Sequence, residues 1–321
     1  MLRKTPVALF SYNRPNHTER VLTALARSRR LSECDFVFYL DGAKSQSQQC
    51  QVDATRSRLH AWAPTFAAQI VERKENLGLA RSVVSGVSEL CESYGRVIVV
   101  EDDLVLSPDF LHFMIESLDH YERIPGVLQV GGCTLCSPRS ISTDAFLLPV
   151  TTTWGWATWS RAWRFFDWNP HGIEDLKGDP EWLDRFNVGG SCNYMQMLDE
   201  RLTGQNDSWG ILWWCAVARQ RGLVVYPANS LVWNGGFDGS GVHCGAGDSF
   251  GQAEYERICN RHLPDILKFP DSMDFLPAHM QELKTYFEIV GAKSSSQQEG
   301  LLVPLRKRVG NVLRSLYDAL R

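Results

Sequence analysis

The chemistry in this sequence concentrates at Glu101-Asp102-Asp103, three consecutive acids that directly follow the apolar run Val97–Val100. Carboxylates set against a buried strand are costly unless something compensates them. A hard divalent cation does so directly, because Mg2+ and Mn2+ prefer carboxylate oxygens and complete their shell with phosphate oxygens or water. Side chains at a strand end alternate in direction, so the three acids share a face only if the following loop turns them. A solvated acidic turn would carry the same three letters. The flanks favour the cation: VIVV before the acids and LVLSPDF after them hold the cluster between buried segments.

The elements that must position this cluster are legible around it. Pro6–Phe10 reads as a strand broken by Tyr12-Asn13-Arg14-Pro15, after which Thr18 is placed to cap a helix with Val21, Leu22 and Leu25 on its apolar face. Phe36–Leu40 is a continuous apolar strand ending at Asp41-Gly42, and Gln69–Val71 is a shorter one. Beyond the loop Asn76-Leu77-Gly78, the residues Val83, Val84, Val87, Leu90 and Cys91 recur at helical spacing until Gly95 stops them. Ser107-Pro108-Asp109 has the composition of a helix start. Strands alternating with helices predict an α/β fold, a mostly parallel central sheet flanked by helices. In such sheets ligands bind beyond the carboxyl ends of the strands, where Asp41 and Glu101–Asp103 both fall. The second half is less regular, with strands at Val127–Val130 and Leu223–Tyr226, a helix over Trp209–Gln220 and a Gly-rich loop over Asn234–Gly247. The expected plan is a body over residues 1–268, an extension over 269–290, a polar linker over 291–300 and a helix over 301–321.

With 321 residues and 44% apolar composition the chain can bury a substantial core. A net charge of −4 gives no basic field of the kind nucleic-acid binders carry, so no nucleic-acid partner is expected. Among 9 cysteines, Cys133 and Cys136 form a lone CxxC pair, weak grounds for zinc against plain buried thiols. Met1-Leu2-Arg3-Lys4 leads straight into the first strand without a secretory apolar region, and no run is long enough to span a bilayer. The expected location is therefore cytoplasmic. The 11 tryptophans serve equally as floors for sugar rings and as core filler.

The stretch RVIVVEDDLVLSPDFLHFM resembles the core segment of the N-acetylglucosaminyltransferase I family and of bacterial family-2-like glycosyltransferases, which share the GT-A (Rossmann-like) fold. The likeness runs from about Pro6 to Cys244 and is most specific at EDD and SPDF; TWGWATWSRAW, DSWGILWW and FDGSGVHC are similar to segments of bacterial members. It implies a metal-dependent transfer of GlcNAc or a similar hexose from a UDP-sugar to a hydroxyl of a glycan or glycolipid acceptor. Mn2+ or Mg2+ would sit on the donor diphosphate. Asp103 is then the direct metal ligand, supported by Glu101 and Asp102. Arg14 falls at the base or phosphate, Asp41 where a carboxylate accepts from uracil, and Arg81 where a cation faces the diphosphate. Trp154, Gly155 and Trp156 match a segment lining the donor sugar and acceptor. His243 completes the metal shell, with Asp238 a weaker carboxylate in the same loop. The family's general base lies in a Trp-Asp-Asp-Trp stretch. Here Gln205-Asn206-Asp207-Ser208-Trp209 holds one acid, so Asp207 is the candidate base of an inverting displacement, and a candidate helix cap as well. A surface glycan such as lipopolysaccharide or capsule as the acceptor follows by analogy.

Leu302, Leu305, Val309, Val312, Leu313, Leu316 and Leu320 share a helical face, with Lys307, Arg308, Arg314 and Arg321 on or beside the other. Such a helix suits an anionic membrane surface, which would place the protein peripherally, or packs on its own domain or a partner. Two rivals share these features. A sugar nucleotidyltransferase needs a Gly-rich basic loop after the first strand, where SYNRP stands instead. A non-catalytic glycan-binding or scaffold protein on the same fold would bind nucleotide and metal without turnover.

Overall fold

The computed structural model describes residues 4–138, 141–236, 251–273, 275 and 277–296. Its strands in chain order are β1 (Thr5–Ser11), β2 (Cys34–Leu40), β3 (Gln69–Glu72), β4 (Arg96–Glu101), β5 (Leu104–Leu106), β6 (Val127–Gly131), β7 (Ala145–Leu148), β8 (Trp156–Trp159), β9 (Leu223–Pro227) and β10 (Val232–Asn234). Eight of them form one sheet in the order β3-β2-β1-β4-β8-β6-β9-β7, while β5 and β10 make a separate antiparallel ribbon. Strands β8 and β7 run against the other six. The expected mostly parallel, helix-flanked α/β sheet is present.

The continuous apolar runs of β1, β2 and β4 have a simple cause: both faces are covered. Ala8, Phe10, Val37, Tyr39, Val97 and Val99 point into one core. Their neighbours Val7, Leu9, Phe36, Phe38, Ile98 and Val100 point into the other. On the first face lie α3 (Leu79–Tyr94), α5 (Ser160–Trp163), α7 (Pro180–Phe186), α8 (Tyr194–Leu202) and α9 (Trp209–Arg219), with α6 (Ile173–Lys177) beside them. On the second lie α1 (Pro15–Ala26), α2 (Gln49–Phe66) and α4 (Phe110–His120). The later helices are α10 (Gly251–Cys259) and α11 (Pro277–Ser296). No helix among the described residues is long and apolar enough to cross a membrane.

From β1 the chain moves outward to β2 and β3, then returns to place β4 on the other side of β1. The carboxyl ends of β1 and β4 therefore flank a topological switch point, the crevice where open α/β sheets bind ligands. Register brings Phe10 beside Glu101, so the segments that follow these strands start level with one another.

Two expected caps and one boundary differ from the sequence reading. α1 begins at Pro15, because proline has no N–H to lose at the first helical position. Thr18 thus lies inside the first turn, and its hydroxyl donates back to the Arg14 carbonyl at 3.0 Å. Ser107, expected as the cap before Pro108, accepts from Asp109 N at 3.2 Å through its Oγ, but α4 starts only at Phe110, with Asp109 at the cap position making no side-chain capping bond. Its buried carboxylate instead pairs with Arg29 Nε at 3.1 Å and accepts from Leu263 N at 2.6 Å, tying the 263 segment to α4. α11 continues to Ser296, past the Gly291 where the linker was expected; the basic helix over 301–321 lies outside the described residues.

Candidate active site

Beyond β1 and β4 the chain builds one charged constellation. The Tyr12 N–H donates to Asp102 Oδ2 at 3.3 Å. Arg14 donates through Nη2 to Asp102 Oδ1 at 2.5 Å and through Nη1 to Asp103 Oδ2 at 3.1 Å. Pro15 fixes the turn that carries Arg14 there. Arg14, expected at base or phosphate, thus has its fork on the acids, a pairing across 88 residues that local pattern does not reveal.

Three ionised carboxylates against one guanidinium would leave two negative charges uncompensated. The titration behaviour reflects that surplus. Burial first, then Asp103 and Asp102, push the Glu101 carboxyl up to about 8 against the pull of Arg14. Burial likewise raises Asp102, opposed by Arg14. Burial works to lower the Arg14 pKa, but Asp102, Asp103 and Glu101 outweigh it and the guanidinium stays charged. A divalent cation fits this donor set: hard oxygens, a charge surplus of matching size, and a Glu101 that takes up a proton in the cation's place. Among the described residues no three His, Cys, Asp or Glu side chains are grouped to enclose an ion. These acids offer an open partial shell. His243 and Asp238, expected nearby, lie outside the described residues.

The ribbon explains how the later chain reaches this point. β5 leaves directly from Asp103 and pairs with β10, with Val232 opposite Leu106 and Asn234 opposite Leu104. Gly235 N then donates to the Asp103 carbonyl at 2.7 Å. A Cβ on Gly236 would stand 2.6 Å from Asp103 Oδ2, so a side chain there would displace that carboxylate. Gly235 and Gly236 thus lie against Asp103. Three-residue strands carry no periodicity, which is why the sequence did not reveal this ribbon.

Asp41 has a different task from the one expected. Its Oδ1 accepts from Gly42 N at 3.0 Å and Leu77 N at 2.8 Å; its Oδ2 accepts from Asn76 Nδ2 at 3.1 Å and Gly78 N at 2.9 Å. A carboxylate offers about four lone-pair positions, so this arrangement leaves none for a uracil. Asp41 clamps the 76–78 loop, which turns through Gly78 (φ +75°) into α3. Arg81 stands exposed in the first turn of that helix. Asn76 adds a second bond, from Nδ2 to the Gly42 carbonyl at 2.8 Å.

Trp154 and Trp156, expected to line the donor sugar and acceptor, are core residues. They are 5% and 0% exposed, in the two opposite cores. The cause is the position of β8 in mid-sheet, between β4 and β6, with helices over both faces. Gly155 between them has φ +61°, and a Cβ there would meet Val232 at 2.9 Å and Phe110 at 3.0 Å.

Asp207 is exposed, one residue before the α9 cap. The cap is Ser208, whose Oγ accepts from Ile211 N at 3.2 Å. The direction of α9 follows from its tryptophans. Trp209 stacks on Trp156 at 5.5 Å, and Trp213, one turn on, lies 5.0 Å from Trp163. Trp156 pairs with Val99 near the carboxyl end of β4, so α9 starts at the edge of the sheet that carries the acids.

Glu101 makes metal-free stability depend on pH. Unfolded, it loses its proton near 4.5; folded, it keeps it to about 8. Between those values the folded state binds more protons, so stability falls as pH rises through the window. Urea midpoints without metal are expected to be lower at pH 8.5 than at pH 6, with a flatter dependence in Glu101→Gln. Added Mg2+ should restore most of the loss at pH 8.5. Identical pH profiles for wild type and Glu101→Gln would contradict the assignment.

No family model and no curated protein matches this sequence. Solved structures do resemble it. Staphylococcus aureus TarS matches at 13% identity over 99% of this chain and 49% of its own, with a TM-score of 0.44. A mannosyltransferase, PcManGT, from Pyrobaculum calidifontis in complex with GDP-Man and Mn2+ matches at 16% identity over 48% of this chain and 44% of its own, with a TM-score of 0.35. Glucosyl-3-phosphoglycerate synthase from Mycobacterium tuberculosis, with Mn2+, UDP and glucosyl-3-phosphoglycerate, matches at 15% identity over 52% of this chain and 60% of its own, with a TM-score of 0.32. The chain spans less than two thirds of the length of each. At these scores the likeness carries nothing about chemistry.

Proposed function

We propose that this chain is a metal-dependent glycosyltransferase of the GT-A type, moving a sugar from a nucleoside-diphosphate donor to an acceptor hydroxyl. The observation that carries this reading is the convergence of Arg14, Glu101, Asp102 and Asp103 at the switch point of the sheet. Asp103 and Glu101 would hold a divalent cation there, which supplies charge stabilisation for the diphosphate as it departs. Asp102 is buried under Arg14 and fixes that arginine. Arg14 orients Asp103 through Oδ2 and keeps N–H groups to spare for a phosphate oxygen. Arg81, exposed in the first turn of α3, supplies a second cation from the opposite loop. His243, which follows Gly236 in the sequence, would complete the cation's shell.

Asp207 is the base in this account. Its carboxylate takes the acceptor hydroxyl's proton as that oxygen bonds to the anomeric carbon and the bond to the diphosphate oxygen breaks, inverting the centre. UDP and GlcNAc are the donor that the sequence resemblance implies. Asp41 supports it by fixing the loop, not by touching the base. The acceptor class, a surface glycan or glycolipid, and membrane docking through residues 301–321 belong to the same reading.

Arg14 already pairs with two of the acids, which favours one alternative: a scaffold whose cluster stands without an ion. Release of nucleotide from UDP-, GDP-, CMP- and dTDP-sugars in Mn2+, with and without glycan acceptors, separates the two. Metal-dependent release from one donor class is expected. No release from any donor by a folded sample would favour the scaffold.

A further inference from the structure

A cavity of about 150 Å3 opens between α1, β5 and α10, next to the ribbon that leaves Asp103. Arg20, Thr23 and Arg27 of α1 follow at spacings of three and four residues, which places them on one helix face, and that face forms a wall of the cavity. Tyr255 of α10 stands across from it, and Leu106 of β5 contributes apolar floor. Burial and the neighbouring Cys259 push the Tyr255 phenol up, and Arg20 and Arg27, which line the same cavity, act against that rise. Neither arginine has an ion pair among the described residues. Glu19 also lines the cavity, but its Oε1 accepts from Trp62 Nε1 at 3.0 Å and its Oε2 lies 3.6 Å from Arg58 Nε. That carboxylate is turned to α2 and offset there, so the charge left on the wall is positive.

The Thr23 hydroxyl already donates to the Glu19 carbonyl at 2.8 Å and the Tyr255 hydroxyl is engaged with Cys259, so the two guanidiniums are the donors this pocket offers over its apolar floor. A compact anion with several oxygens meets such an array with charge-assisted bonds. Arg20 Nη2 also comes within 3.0 Å of where a Cβ on Gly235 would stand, and Gly235 N holds the Asp103 carbonyl. One residue thus separates this cavity from the acids.

We propose that the cavity binds a phosphoryl group other than the nucleotide's, as a phosphate ester or as free phosphate. Next to the acids it would seat the phosphate of a phosphorylated acceptor; that placement rests on the transferase reading, whereas anion binding does not. Calorimetric titration of the full chain in EDTA with inorganic phosphate, glycerol 3-phosphate and glycerophosphoglycerol tests it. Saturable binding is expected in wild type and in Asp103→Asn, at least tenfold weaker in the double variant Arg20→Gln/Arg27→Gln. Both arginines are exposed, so the double variant should keep the wild-type melting temperature and any metal–nucleotide response. Esters binding more tightly than inorganic phosphate would support the acceptor placement, and the reverse order a free-phosphate site. Absence of saturable binding by all three probes, or equal binding in the folded double variant, would overturn the proposal. Phosphate binding in a protein that ignores every metal–nucleotide pair would sink the transferase reading and leave this one standing.

Discussion

Asp207→Asn is expected to lower kcat about a thousandfold, the usual worth of a positioned general base, while metal and donor binding stay unchanged. The expectation rests on placement. Asp207 is exposed, it precedes α9, and the tryptophan contacts of that helix put its start at the edge of the sheet where the acids lie. Ser208 caps the helix, so the substitution leaves the cap intact and a loss of activity would not reflect unfolding of α9. Nucleotide release in the presence of acceptor, measured beside the thermal response to donor, separates chemistry from binding. A variant with wild-type kcat would require another group to take the proton.

Asp41→Ala is expected to cost about 4 kcal/mol of stability, because four donors lose one shared acceptor and each orphaned buried donor costs about 1–3 kcal/mol, less where water can replace the carboxylate. Three of the four are backbone N–H groups, at Gly42, Leu77 and Gly78. Their positions are fixed by a Gly42 that has no room for a side chain: a Cβ there would stand 2.6 Å from the Glu75 carbonyl carbon. The urea midpoint should fall with little change in slope. Asp41→Asn, which keeps one oxygen, should lose about half as much. The Asp41→Ala variant should also bind donor more weakly, since the loop that carries the chain into α3 and Arg81 would be loosened. A loss of under about 1 kcal/mol would show that the carboxylate is dispensable to the loop.

What the sequence disclosed and what it concealed divide along a physical line. Strands β1, β2, β4, β6 and β9 and helix α9 were readable, since their apolar runs exceed the length of a turn and end at Gly, Pro or Asp. The acids were readable because charge after a doubly buried strand is expensive in any fold. Partnerships across long separations were not: Arg14 with Asp102, and Asp41 with the 76–78 loop, depend on which strands lie side by side. The two tryptophans of the Trp154-Gly155-Trp156 segment have the right chemistry to floor a sugar. Residue type does not say that β8 would be inserted in mid-sheet, and its neighbours bury both rings. Strands β5, β7, β8 and β10, of three or four residues, gave no periodic signal. The ribbon that brings the 235–236 turn against Asp103 was therefore missed with them.

The central claim is that Glu101–Asp103 form a metal-dependent nucleotide site, and thermal stability tests it most directly. Wild type and Asp103→Ala would be heated with UDP, GDP, CMP and dTDP, each with and without Mn2+. A ligand at about a hundred times its Kd adds about 2.7 kcal/mol to the folded state, enough to raise Tm by several degrees. The account predicts a rise with one nucleotide, only when Mn2+ is present, and its loss in Asp103→Ala. A well-folded wild type that responds to no nucleotide–metal pair, or an Asp103→Ala variant that responds as wild type does, would contradict it.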